Sequence, residues 1–436
     1  MKGRSDCQCH GAEELTRRGV LKAASASAVA LAGSALLSRK GWTQQRKADV
    51  VRLGFVFPFS GRLASYGESA GPGVELAVRQ INEAGGIRAL GGAKLEVITA
   101  DDRGDPKVAS SEIERLVTRE KISGLIGVFS STQAVSLGML ADQYEIPFTS
   151  PSWTTPKAFS LGSRYSRTLN LTGESFGAGG AAILRKLISS HGLKAQRVAL
   201  IYDNSEYGRG VITVLKAELR PPAFDIVVDL PVTPPVTDYS PQMLRIRDAK
   251  PDVLMAAQYF QDTVLTLRAM DALGYHPVFV GCASGFSDAR LPDALGPDVA
   301  RRVLSRPVFG PIAIGANIPY PPLQAFYRKA VQAGIKFGTG GLDVNWFMLG
   351  AQTVFVYKVA LEQAGSTEGK AINKAILNMS LPRGSEWLIA PFYDPALKWE
   401  ETGKPLNQIT PYIQWQKGKM VLIHPEDLAE AKPSLI

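Results

Sequence analysis

Between Val50 and Ile423, short apolar runs alternate with longer stretches whose apolar positions recur every three or four residues. The first cycle sets the pattern. Val50 to Phe57 (VVRLGFVF) is β-branched and aromatic and meets a breaker at Pro58–Gly61. In the stretch that follows, Val74, Ala77, Val78 and Ile81 fall on one helical stripe, which stops at Gly85-Gly86. A second apolar run, Leu95 to Ala100, ends at Asp101-Asp102. Strand, loop, helix and strand in that order are the repeating unit of an open parallel α/β sheet.

The alternation continues through the chain. Strands are predicted at Ile122–Val128, Ile146–Ser150, Arg197–Tyr202, Val227–Leu230, Val253–Ala257 and Val278–Val280. Helices are predicted at Ala134–Tyr144, at Phe176–His191 with Gly192 as its stop, after Gly208, and at Thr263–Leu273, Leu323–Ala333 and Asn345–Gln363. Arg167–Leu171 reads as extended and as the first crossover between two halves; Pro231–Pro235 reads as a proline-dense turn. Thr410–Gln416 and Lys419–Ile423 form a closing pair of strands. No internal sequence repeat is visible, although two similar βα halves are. The predicted class is therefore α/β with two lobes, each an open, mostly parallel sheet flanked by helices, joined by crossover strands. Lobe 1 is expected to take residues 48–171 and 313–385, and lobe 2 residues 172–312 and 386–436.

Residues 1–47 stand apart. Arg17-Arg18 precedes a mild apolar stretch, Ala23 to Leu37, that is too short to span a membrane stably, and no acid occurs between Glu14 and Asp49. Paired arginines in that setting resemble a twin-arginine export signal, which predicts a periplasmic location. This segment also explains the charge. It holds nine Lys/Arg against three Asp/Glu, so +6 of the formal +9 resides there. The remainder is close to neutral, which gives nucleic-acid or membrane-surface binding no support. No later segment reaches about 18 uninterrupted apolar residues, so the remainder is expected to be soluble. Cys7 and Cys9 belong to the leader, and Cys282 alone remains, so no intrachain disulfide can form. His10, His191, His276 and His424 are far apart and show no metal-ligand spacing. Neither a metal nor a cofactor is predicted.

The architecture locates a site. In open α/β sheets ligands bind beyond the carboxyl ends of the strands, where loops open helices whose first N–H groups lack partners. Ser130-Ser131-Thr132 and Ser152-Trp153-Thr154 occupy that position. Hydroxyls and free amides at two neighbouring strand ends can hold a carboxylate without an arginine. Plain N-capping explains either loop taken alone, since Ser and Thr are preferred caps. Two in succession, the second carrying Trp153, favour a site.

From Val51 to Ile423 the chain resembles the periplasmic solute-binding proteins of ABC importers, of the branched-chain amino acid/amide type. The blocks that carry the likeness are YGESAGPGVELAVRQINEAGGI (66–87), DDRGDPKVA (101–109), SSTQA (130–134), YDNSEYGRG (202–210) and TPYIQWQKGKMVLIHP (410–425). The resemblance implies the two-lobed type I periplasmic binding fold and a ligand held between the lobes. It assigns the ligand carboxylate to Ser131, with Phe129 and Ser130 beside it, and matches Ser152, Trp153 and Thr154 to the small-small-Thr turn after the next strand. It also matches Tyr66 to an aromatic of the first loop, Tyr207 to the YG tyrosine of the second lobe, and Gln258 and Tyr259 to the loop after the next strand there.

The departures bear on the ligand. Amino acid binders of this type carry an Asp at the first crossover and a Glu in a GPEG-type loop, both facing the ligand ammonium. Here the crossover offers Thr172, with Glu174 two residues on, and the loop reads Gly281-Cys282-Ala283-Ser284-Gly285 without an acid. Gly104 and Phe129 stand where the family has a cysteine pair. A buried ammonium without a carboxylate is costly, so a free amino acid fits only if Glu174 or Asp203 supplies the charge. Trp153, Tyr66, Tyr207 and Tyr259 suit a flatter, more apolar acid, aromatic or aliphatic.

Enzyme readings find little. Gly85-Gly86 and Gly91-Gly92 follow a helix rather than a strand, so no dinucleotide fingerprint is present. Ser284 lies in ASGF, not in a nucleophile elbow, and Cys282 has no histidine of evident placement. The expectation is an extracytoplasmic substrate-binding component, monomeric, whose partners are a small solute and the permease and ATPase subunits of the inner membrane. The alternatives are a binder of branched-chain or other amino acids, or a periplasmic ligand-sensing module of the same fold.

Overall fold

The computed structural model of the chain describes residues 49–311 and 318–435, with Ser284 described by its backbone alone. The export leader read from residues 1–47 lies outside the described residues.

The first half of the fold follows the predicted alternation. β1 (Val50–Phe57) leads through a 3-10 turn, Gly61–Leu63, into α1 (Ala64–Glu83), then β2 (Lys94–Asp101) and α2 (Pro106–Thr118). β3 (Gly124–Gly127), α3 (Ser131–Gln143), β4 (Phe148–Ser150), α4 (Pro156–Ser160) and β5 (Ser166–Thr168) complete a sheet of order β2-β1-β3-β4-β5. All four pairings are parallel. Helices cover both faces, so β1 is buried throughout from Leu53 onward and reads as a continuous apolar stretch.

The second sheet starts after α5 (Gly173–His191), which the left-handed Gly192 terminates at φ 72°. It takes β6 (Arg197–Asp203), α6 (Glu206–Glu218), β7 (Asp225–Val232), α7 (Ser240–Asp248), β8 (Val253–Ala257), α8 (Phe260–Ala272) and β9 (Val278–Gly281). Two short helices, α9 (Leu291–Leu295) and α10 (Pro297–Val303), precede β10 (Val308–Pro311). The chain then forms α11 (Pro321–Gln332), α12 (Val344–Ala364) and α13 (Gly369–Leu377), a small ladder of β11 (Leu381–Pro382) with β12 (Ala396–Leu397), and finally β13 (Tyr412–Gln416) and β14 (Lys419–His424). The order is β14-β13-β10-β9-β8-β6-β7, parallel except where β13 pairs with β10 and β14.

α12 returns the chain to the first sheet. Its backbone crosses α1 so closely that a Cβ on Gly73 would lie 2.0 Å from the Phe347 carbonyl oxygen, and one on Gly350 2.5 Å from that of Ala70. The Tyr357 hydroxyl, from the same helix, lies 2.8 and 2.7 Å from the carbonyl oxygens of Leu125 and Pro147 under the first sheet. Residues 393–408 then run beside the first crossover, where Trp399 Nε1 donates to the Thr168 carbonyl (2.7 Å) and Gln408 Nε2 to that of Asn170 (2.8 Å).

Two local readings change. Arg167 and Thr168 are the end of β5, so the crossover begins only at Leu169. Pro231 is inside β7 rather than in a turn; β7 is the edge of its sheet, where a missing N–H can face away from the ladder. Among the described residues no helix is long and apolar enough to cross a membrane.

Candidate ligand-binding site

The loops after β3 and β4 are tied to each other before they meet anything else. Ser130 Oγ accepts the Gln133 N–H (3.1 Å) while Gln133 Oε1 accepts the Ser130 N–H (3.2 Å), a reciprocal cap on α3. The next hydroxyl has a different duty: Ser131 Oγ accepts the Thr154 N–H at 3.1 Å. Ser150, at the end of β4, donates its hydroxyl to the Val128 carbonyl (2.7 Å) and accepts the Ser152 N–H (3.0 Å). From the crossover, Asn170 Nδ2 donates to the Ser152 carbonyl at 2.7 Å. These bonds fix Ser131, Ser152, Trp153, Thr154 and Asn170 as one polar wall.

The facing wall is aromatic. Tyr207, in the first turn of α6, and Tyr259, just ahead of α8, stack with centroids 4.6 Å apart. Phe129, which meets Trp346 of α12 edge-on at 5.2 Å, and Phe176 of α5 complete the lining. Between the walls lies a narrow cavity of about 10 Å³. Its lining contains no charged side chain among the described residues. That space is too small for an organic solute. Trp153 Nε1 and Thr154 Oγ1 are buried with no hydrogen-bond partner among the described residues. Burial raises the Tyr259 phenol well above its ordinary pKa, so it stays a neutral hydroxyl.

The sequence-predicted residues divide accordingly. Phe129, Ser131, Ser152, Trp153, Thr154, Tyr207 and Tyr259 line the cavity. Ser130 is a helix cap. Tyr66 is in the first turn of α1 rather than in a loop; its ring stacks behind Phe129 (4.3 Å), and its hydroxyl accepts the Phe260 N–H at 2.8 Å. Thr172 caps α5, its Oγ1 accepting the Ser175 N–H at 3.1 Å. Gln258 turns back to Thr266, 3.0 Å away. The side chain of Ser284 lies outside the described residues.

Neither proposed substitute acid reaches the lining. Glu174 pairs with Lys404, and Asp203 lies 3.5 Å from Arg62. Asn170, Phe176 and Trp346 were not foreseen. Asn170 stood in the predicted crossover and Trp346 in a predicted helix, but nothing local showed that either faces a strand end. A wider groove of about 1280 Å³, partly open solvent, runs along α5 beside Gln408 and Thr410. Its charged rim is already neutralised, by Glu174 with Lys404 and by Lys186 with Glu426 (2.8 Å).

The sequence profile of the periplasmic binding proteins matches residues 50–407. Leu/Ile/Val-binding protein homolog 8 of Brucella abortus is 27% identical over 391 residues, 88% of this chain and 92% of the relative. Among solved structures, the branched-chain amino acid transporter substrate binding protein LivJ of Streptococcus pneumoniae, in complex with isoleucine, superimposes with a TM-score of 0.72. It is 20% identical, over 85% of this chain and 97% of that one. A solute binding protein of an ABC transporter from Rhodopseudomonas palustris, in complex with p-hydroxybenzoic acid, gives a TM-score of 0.71. It is 16% identical, over 86% of this chain and 95% of that one. The chain therefore belongs to the periplasmic binding protein family and has the two-lobed type I fold.

Proposed function

We propose that this protein is the extracytoplasmic substrate-binding component of an ABC importer and that it captures a small carboxylate-bearing organic solute by closure of its lobes. The observation that carries the reading is the pair of unpartnered polar atoms, Thr154 Oγ1 and Trp153 Nε1, in a wall that also presents the Ser131 hydroxyl. A buried polar group left unpaired costs about 1–3 kcal/mol. A carboxylate, which only accepts, would relieve donors of this kind and bring no donor that needs an acceptor of its own. An α-amino acid would also bring an ammonium, and the lining offers it no carboxylate. The aromatic wall suits an apolar body, ring or chain, opposite the carboxylate. Of the ligands seen in the two solved relatives, p-hydroxybenzoic acid matches this division better than isoleucine. Serine and threonine hydroxyls without a histidine or carboxylate beside them are poor nucleophiles, so the solute is bound and handed on unchanged. The partners are the permease and ATPase of the inner membrane, and the protein works in the periplasm as a monomer.

A thermal-shift screen of residues 48–436 against aromatic acids, aliphatic acids, amino acids and amides tests this, because a ligand of the folded state alone raises the melting temperature. A rise with carboxylates lacking an amine is expected. A rise confined to leucine-like amino acids would replace this reading with amino acid uptake.

A further inference from the structure

We infer that Arg62 is the closing residue of the cleft, a first-lobe cation that docks between two second-lobe carboxylates, Asp203 and Asp262, and holds the lobes together over the solute. The inference rests on the reading that the lobes close. Arg62 lies in the turn between β1 and α1; Asp203 ends β6, and Asp262 is in the first turn of α8. Arg62 Nη1 is 2.7 Å from Asp262 Oδ2, and Nη2 is 3.5 Å from Asp203 Oδ2. The two acid side chains are 4% and 1% exposed, respectively, whereas that of Arg62 is 34% exposed.

The surroundings make the docking specific. Tyr239 donates its hydroxyl to Asp262 Oδ1 at 3.0 Å, which fixes that carboxylate from within the second lobe. The guanidinium also sits over the Tyr259 ring, 5.1 Å from its centroid, and that ring stacks on Tyr207. Arg62 thus braces an aromatic side chain of the cavity wall without lining the cavity. The same short segment makes two more bonds across the cleft: the Ser65 carbonyl accepts from Arg290 Nη1 (3.2 Å), and the Tyr66 hydroxyl accepts the Phe260 N–H.

Charge decides the direction. Two neighbouring carboxylates buried by closure need a cation, and the second lobe supplies none at this point among the described contacts of Asp203 and Asp262. Arg62 arrives only when the lobes meet. A planar fork that reaches two acids and stacks on a ring is a task lysine performs poorly. Because Arg62 does not touch the cavity, its loss should leave capture by the first lobe intact and speed release, which is where most affinity differences between related complexes lie.

The test uses residues 48–436, which lack Cys7 and Cys9, with spin labels at two exposed positions, introduced as Met139→Cys on α3 and Leu244→Cys on α7; Cys282 is fully buried and stays unlabelled. Interlobe distances are measured by electron–electron double resonance, and release by stopped-flow tryptophan fluorescence, with the acid that gives the largest thermal shift. Ligand should shorten the distance in the otherwise unaltered chain. Arg62→Met should repopulate the longer distance and raise the release rate about tenfold, with association changed by less than about twofold. In an Asp203→Asn/Asp262→Asn background the same substitution should change release by less than about twofold, since the charges it answers are gone. Should Arg62→Met fold poorly, Arg62→Lys is read instead, with a smaller rise expected. Ligand-induced shortening with an unchanged release rate in Arg62→Met overturns the role of Arg62 alone. A distance that no ligand changes removes the closure reading, and this inference with it.

Discussion

Ser130 and Ser131 are adjacent hydroxyls with separate duties, one closing the end of α3 and the other tying that end to the Thr154 amide on the cavity wall. Replacing Ser131 by Ala removes a hydroxyl that can donate to a ligand carboxylate and leaves the Thr154 N–H without its acceptor. A charge-assisted bond is worth about 1.5–3 kcal/mol, so affinity for an acid should fall about tenfold or more by calorimetry. Unchanged affinity would reduce Ser131 to a structural link. Trp153→Ala should weaken an aromatic acid far more than a small aliphatic one, and equal losses would remove the ring from recognition. The sequence could single out these residues because they follow strand ends directly, where the fold class alone places a ligand. It could not single out Asn170, Phe176, Trp346, Arg62 or Asp262. Their contribution depends on which crossover, helix or turn closes over the strand ends from the other side, and no local pattern encodes that.

The crossing of α1 with α12 is held at backbone contact by Gly73 and Gly350. Gly73→Ala would set a methyl 2.0 Å from the Phe347 carbonyl oxygen, an overlap that only separation of the helices relieves. A stability loss of about 1–3 kcal/mol or more is expected in denaturant unfolding. At the end of β2, burial pushes the Asp102 carboxyl up to about 6, against bonds from the Gly104 N–H and the Gln133 side chain that lower it. Its ionised form is thus disfavoured in the folded chain. The penalty is present above pH 6 and is relieved as pH falls from about 6 toward the ordinary value of 3.8. A shift of this size corresponds to about 3 kcal/mol at most. Asp102→Asn should therefore raise stability at pH 8 more than at pH 5, and an equal effect at both would refute the assignment. Most long elements with a clear stripe or apolar run were legible to within a few residues; α2, 13 residues with Ala109, Ile113 and Leu116 buried on one stripe, went unread. Others missed were short or mostly polar: α7 buries only Met243 and Ile246, and β10 is four residues that include Gly310 and Pro311.

At the scale of the whole molecule, each sheet presents its strand ends and helix starts to the other. The first-sheet loops after β3 and β4 supply hydroxyls and amides, and the loops before α6 and α8 of the second sheet supply stacked tyrosines. In the proposed function, polar capture on one side and apolar cover on the other would give a ligand something to gain from both, which is the differential contact that closure requires. The two-lobed class was readable from the alternation because parallel strands demand crossover helices. The return of α12 to the first sheet was not, since it depends on a close backbone crossing between segments far apart in the chain. The most direct test is a crystal structure of residues 48–436 with the acid that binds best. The account predicts its carboxylate within hydrogen-bond reach of the Ser131 and Thr154 hydroxyls and its apolar body against Trp153, Tyr207 and Tyr259. A ligand seated in the groove along α5, or an amino acid whose ammonium meets a displaced Asp203, would contradict it.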